Sequence, residues 1–261
     1  MLRVVVSIIG IPLLLASFVI KGYFFMVISS VISIICVYEL LMIFEKKNLF
    51  PLKILFSILS CLSVILFYIN YIDVKIIISS IAFFSMLIEI FRNSNKQNIF
   101  NVFVETFSVL YIVIPLLLLI EISSLPGFNF IIFIFILIWT CDTSAYFTGK
   151  YLGKHQLTSV SPKKTIEGSI GGLLFTVVAC LIYYYFSPVH CNIFDCIVIG
   201  TIVGILGQIG DLFESFIKRQ CNVKESSGIL PGHGGMLDRF DSLIFIVPLI
   251  YFYLFYLRKL F

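Results

Sequence analysis

The residues able to do chemistry crowd into the second half of this 261-residue chain. One stretch reads Gly210-Asp211-Leu212-Phe213-Glu214-Ser215-Phe216-Ile217-Lys218-Arg219. Lys224-Glu225-Ser226 follows, then Pro231-Gly232-His233-Gly234-Gly235-Met236-Leu237-Asp238-Arg239-Phe240-Asp241. Asp211 and Asp238 offer hard oxygen ligands that suit Mg²⁺ better than a soft metal. Lys218, Arg219, Lys224 and Arg239 are cations able to clamp phosphate oxygens, the arginines bidentately. Gly234 and Gly235 let a backbone come close to an anion and present N–H groups to it. His233 either donates to phosphate or holds the loop. Asp211, Glu214, Ser215 and Lys218 share one helical face, and Asp238 and Asp241 would face the same way if helical. Taken singly, each aspartate could equally cap a helix or pair with Arg239.

A second stretch begins Asp142-Thr143-Ser144-Ala145-Tyr146 and continues to Ser161-Pro162-Lys163-Lys164-Thr165-Ile166-Glu167-Gly168. Ser161 followed by Pro162 is a good helix start. A helix N-terminus flanked by lysines is a natural phosphate site, so Ser161, Lys163, Lys164 and Thr165 are candidate substrate contacts. The same two lysines would also serve as a topology signal. Other chemistries are poorly served. The only histidines are His155, His190 and His233, with no HExxH and no Cys/His cluster for zinc. The GxxxxGK[ST] spacing of a P-loop is missing. No Ser/His/Asp set for acyl transfer is evident, and the cysteines form no CxxC pair.

These residues must be positioned by elements that live in lipid. Apolar types make up 60% of the chain and charged types 12%, with a mean hydropathy of +1.11. A soluble domain is about 45–50% apolar and about 25% charged. Long unbroken apolar runs favour membrane helices over a barrel, whose strands alternate. The predicted fold is all-α and polytopic, with about nine spans: 4–20, 23–44, 52–72, 74–91, 103–120, 128–147, 169–188, 193–213 and 243–257. The positive-inside rule places the N-terminus in the cytoplasm. Lys46, Lys47, Arg92, Lys150, Lys163, Lys164, Lys218 and Arg239 then fall on that side, and Arg258 and Lys259 are the misfit. The net charge of +4 does not suggest nucleic acid.

Composition divides the chain near residue 125. Region 1–125 reads as lipid-facing packing. Glu39, Glu89 and Glu105 sit near helix ends, where a carboxylate usually snorkels to water. Region 126–261 carries the polar loops 148–168 and 214–242. Gly200, Gly204 and Gly207 lead along one face to Asp211 and let another helix approach closely, within one chain or across a dimer. A membrane protein with Mg²⁺-type carboxylates, many phosphate-binding cations and no redox apparatus points to phosphoryl or nucleotidyl transfer on a lipid.

The stretch from Ser215 through Lys218-Arg219, Lys224-Glu225 and Pro231-Gly232-His233-Gly234-Gly235 to Asp238-Arg239-Phe240-Asp241 resembles the signature of the CDP-diacylglycerol synthases (phosphatidate cytidylyltransferases). So do Asp142-Thr143-Ser144-Ala145-Tyr146 and the Ser161–Gly168 stretch. The resemblance covers about residues 139–242, with Glu225 where the family usually has Asp. It implies that CTP and phosphatidate give CDP-diacylglycerol and pyrophosphate at the cytoplasmic face of a bacterial plasma membrane. It also implies Mg²⁺ with K⁺ as a second cation, Asp211 and Asp238 as ligands, and a homodimer. Asp142, Ser215, Gly234, Gly235 and Asp241 join the expected substrate contacts. A lipid or polyprenol kinase is the nearest alternative. A transporter fits less well, since the polar residues gather at one face.

Overall fold

In hydrocarbon every backbone N–H and C=O must be satisfied within the segment, and an apolar run has no other route than the helix. The computed structural model describes residues 12–125, 130–186, 192–229 and 234–258. Residues 12–20 are helical. They are followed by α1 (Gly22–Glu45), α2 (Lys53–Tyr68), α3 (Val74–Ile90), α4 (Ile99–Ser123), α5 (Phe130–Leu152), α6 (Ile166–Phe186), α7 (Ile193–Gln220) and α8 (Leu237–Phe252). One π turn, Tyr253–Leu257, continues α8. No strand occurs among the described residues. An isolated β-bridge joins Gln156 to Thr165.

Among the described residues, six helices are long and apolar enough to cross a bilayer: α1, α4, α5, α6, α7, and α8 with its π turn. The chain is thus an all-α, multi-pass membrane protein. α2 and α3, of 16 and 17 residues, are shorter. Most of the expected span 4–20 lies outside the described residues. Two helices reach well beyond their expected spans. α7 continues to Gln220 and α8 begins at Leu237, so much of the expected loop 214–242 is helical.

The chain forms two compact units, Met1–Glu121 with Lys218–Phe240, and Ile122–Ile217 with Asp241–Phe261. In the first, α1 packs along α2. Its core includes the buried Cys36, Val37, Leu40, Leu41, Phe56 and Val64. The three glutamates do not snorkel. Glu39, Glu89 and Glu105 are only 0%, 5% and 1% exposed. Each is kept inside by donors. Glu89 accepts from Asn98 N at 2.5 Å and Asn101 Nδ2 at 2.8 Å, and pairs with Arg92 at 3.0 Å. Glu105 accepts from Leu52 N at 2.8 Å and Ser85 Oγ at 2.6 Å. Buried carboxylates persist where hydrogen bonds replace their lost water.

In the second unit α5 packs along α6. The glycine face of α7 finds its neighbours within this one chain. A Cβ on Gly200 would stand 2.9 Å from Val177 Cα, and one on Gly204 3.0 Å from Leu173 Cα, both on α6. A Cβ on Gly210 would stand 2.6 Å from the Asp241 carbonyl of α8. Gln208 Nε2 donates to Ser169 O at 3.0 Å, tying α7 to α6. At the other end of α7, the buried Asp195 accepts from Tyr253 Oη at 2.6 Å and pairs with Arg258. That pairing gives the misfit Arg258 a local partner.

Candidate active site

The stretch before α6 is built by a few short bonds. Lys164 N donates to Ser161 O at 3.0 Å, closing a turn over Ser161–Lys164. Leu157 N donates to Lys164 O and Ile166 N to His155 O, each at 2.9 Å. Glu167 accepts from the backbone N–H groups of Lys154 and His155, and its Oε1 lies 2.6 Å from His155 Nδ1. The helix does not start at Ser161-Pro162, as those residues suggest. It starts at Ile166, where Thr165 caps it by accepting from Gly168 N at 3.1 Å. A threonine hydroxyl satisfies an orphan N–H of the first turn, whereas the Ser161 carbonyl is already spent on the turn.

This turn, α5 and α7 enclose one cavity of about 470 Å³ in the second unit. Asp142 comes from α5, Ser161, Lys163, Lys164 and Thr165 from the turn, and Asp211 from α7. Five residues singled out by type and spacing, and Asp142 from the resemblance, therefore line one space. Lys164 Nζ stands 2.5 Å from Asp211 Oδ2. Ser215 Oγ donates to Asp211 Oδ1 at 3.4 Å.

Asp211, Glu214 and Asp241 form an acidic group. One oxygen from each lies within 4.8 Å of the others. Glu214 and Asp241 are 1% and 8% exposed. Three carboxylates this close, with so little water, repel unless a cation sits among them. The donor set is all hard oxygen and fits Mg²⁺. The spacing on α7 put Glu214 on the Asp211 face, but nothing in the sequence singled it out as a partner of Asp241.

The remaining candidates belong to the first unit. Asp238 accepts Lys218 Nζ at 2.5 Å on Oδ1, and Gly235 N at 2.8 Å on Oδ2. Ser226 N and Oγ approach the same Oδ2 at 3.3 and 3.1 Å. Gly234 adopts φ +79°, a conformation that side chains disfavour. Asp238 thus organises the glycine turn and orients Lys218. Arg219, Lys224 and Arg239 are exposed. His233 lies outside the described residues. Composition gave no hint of Glu39, whose Oε1 and Oε2 accept from Met236 N at 3.0 Å and Leu237 N at 2.8 Å.

The fold defines a multi-pass, all-helical membrane protein whose cavity sets lysines beside carboxylates. A family model described as the cytidylyltransferase family matches residues 1–257, and the chain belongs to that family. It is similar to proteins named phosphatidate cytidylyltransferase in three staphylococci. The identities are 44% over 144 residues for Staphylococcus epidermidis strain RP62A and 45% over 144 residues for Staphylococcus aureus strain COL. For Staphylococcus haemolyticus strain JCSC1435 the identity is 46% over 125 residues. The first two matches cover 55% of this chain and 55% of the relative, the third 48% of each. The chain thus spans about half the length of the curated relatives it matches.

Proposed function

We propose that the chain is a phosphatidate cytidylyltransferase, joining CTP and phosphatidate into CDP-diacylglycerol and pyrophosphate. The observation that carries this is the cavity where Lys163, Lys164 and Thr165 meet Asp142 and Asp211. It offers phosphate donors and hard oxygen ligands together, on helices long enough to span lipid. The names of the staphylococcal relatives support the choice of nucleotide and lipid.

The phosphatidate phosphate is already an anionic nucleophile and needs positioning more than a base. The difficulty is bringing it to the α-phosphorus of a highly charged nucleotide. Lys163, Lys164 and Thr165 would hold phosphate oxygens, with Lys164 released from Asp211 as substrate enters. Asp211, Glu214 and Asp241 would hold Mg²⁺, which on binding supplies charge neutralisation at phosphoryl oxygens. Lys218, Arg219, Lys224 and Arg239 would add positive charge for the triphosphate, and Gly234 and Gly235 backbone donors. Asp238 as a further metal ligand, K⁺ as a second cation, His233 as a phosphate donor and a homodimer enter on the resemblance. The reading also includes nine spans and a site facing the cytoplasm of a plasma membrane, supported by the loop charges.

The test is incubation of purified protein with phosphatidate, Mg²⁺ and CTP labelled at either the α- or the γ-phosphate. The α-label should enter the lipid with release of pyrophosphate. Transfer of the γ-label would make the protein a kinase instead.

A further inference from the structure

We propose that Glu39, on α1, is the positioning residue for the glycine turn that carries Gly234, Gly235 and Asp238. This deepens the cytidylyltransferase reading and rests on it. Glu39 is fully buried, at 0% exposure. Its two oxygens face four donors, one of which, Ser226 Oγ, is shared with Asp238. Oε1 accepts from Ser227 Oγ at 2.5 Å and Met236 N at 3.0 Å. Oε2 accepts from Ser226 Oγ at 3.1 Å and Leu237 N at 2.8 Å. The four donors come from Ser226–Ser227 and from Met236–Leu237, so one side chain holds both segments.

The grip passes directly to charged groups. Ser226 Oγ lies 3.1 Å from Glu39 Oε2 and 3.1 Å from Asp238 Oδ2, so its single proton is shared between the two carboxylates. Asp238 in turn receives Gly235 N and Lys218 Nζ. Gly235 lies close against both groups, since a Cβ there would overlap Ser226 Oγ and stand 2.5 Å from Glu39 Oε2. An apolar side chain would pack α1 as well as a buried carboxylate, and more cheaply. What an apolar residue lacks is the acceptor capacity to fix four donors at once. Glu39 therefore fixes Ser226–Ser227 and Met236–Leu237, the rotamer of Asp238 and, through it, the place of Lys218. Those are groups the proposed function assigns to the triphosphate, so Glu39 acts on nucleotide binding without touching the nucleotide.

The experiment uses the full chain in detergent or nanodiscs and measures kcat, KM for CTP and KM for phosphatidate separately. Glu39→Gln keeps the shape but puts an amide N–H₂ against donors. It should raise KM for CTP about tenfold, with a smaller change in KM for phosphatidate. Ser227→Ala removes one donor from a partly exposed position and should raise KM for CTP about threefold while folding normally. Glu45→Gln, on the same helix but paired with Lys53, should leave KM for CTP unchanged. If Glu39→Gln and Ser227→Ala lower only the amount of active protein, at wild-type KM for CTP, Glu39 is structural glue and the proposal falls. If the wild-type protein forms no CDP-lipid, the underlying reading fails first and takes this inference with it.

Discussion

Lys164 Nζ lies 2.5 Å from Asp211 Oδ2, joining the turn before α6 to the C-terminal third of α7. Both side chains are partly exposed, at 27% and 38%. Such a pair adds little stability by itself. Its significance is placement: a lysine and a hard carboxylate share one cavity, and under the proposed function each exchanges its partner for a substrate group or cation. Asp211→Asn should abolish Mg²⁺-dependent CDP-lipid formation while the protein still inserts and purifies. Retention of full turnover would remove Asp211 from the site.

Glu214 and Asp241 should tune cation affinity. Each offers an oxygen within 4.8 Å of Asp211's, so Glu214→Gln or Asp241→Asn should shift the Mg²⁺ concentration for half-maximal activity upward by about tenfold or more. Chelation should silence the wild-type protein and added Mg²⁺ should restore it. An unchanged Mg²⁺ titration in both variants would count the cluster out.

Gly210 is a packing hinge for the same cluster. A Cβ there would stand 2.6 Å from the Asp241 carbonyl and 3.1 Å from Ser242 Cα, both backbone atoms that cannot swing aside. Gly210→Ala should therefore destabilise the protein by about 1–3 kcal/mol and weaken Mg²⁺ dependence together. Thermal melting in detergent, beside the metal titration, reads both effects.

Thr165 has two duties, a cap and a cavity hydroxyl. Thr165→Val removes the acceptor for Gly168 N and should cost about 1 kcal/mol of local stability, with a larger loss of activity than the cap alone explains. Thr165→Ser should recover most of both. Equal activity in the valine and serine variants would leave Thr165 with its capping role only.

Orientation is open to a direct test. With the native cysteines replaced, Lys154→Cys, at an exposed position, should react with an impermeant maleimide only in inside-out vesicles. Labelling in intact cells would invert the topology drawn from loop charges.

Much of this protein was legible in one dimension because lipid leaves the chain few choices. The apolar runs at 23–44, 103–120 and 193–213 became α1, α4 and α7, since a helix alone satisfies the backbone in hydrocarbon. Ser161, Lys163, Lys164 and Asp211 stood out by residue type and do line one cavity. The helix start at Thr165 was misjudged because Ser161-Pro162 is a good start locally, yet the Ser161 carbonyl closes a turn instead. Glu39 was misread as a snorkelling end residue, since nothing near it in sequence supplies its four donors.

Residue type and periodicity by themselves determined the class of the molecule, the helices and the chemistry of its loops, because those follow from solvation and from local hydrogen bonding. Only the tertiary structure decided that Asp241 stands beside Asp211 and Glu214, that the α7 glycines seat α6 and α8, and that Glu39 holds the turn before Asp238. Those are pairings of groups far apart along the chain. They arise where close packing lets one buried donor or acceptor find another, and no local rule specifies which.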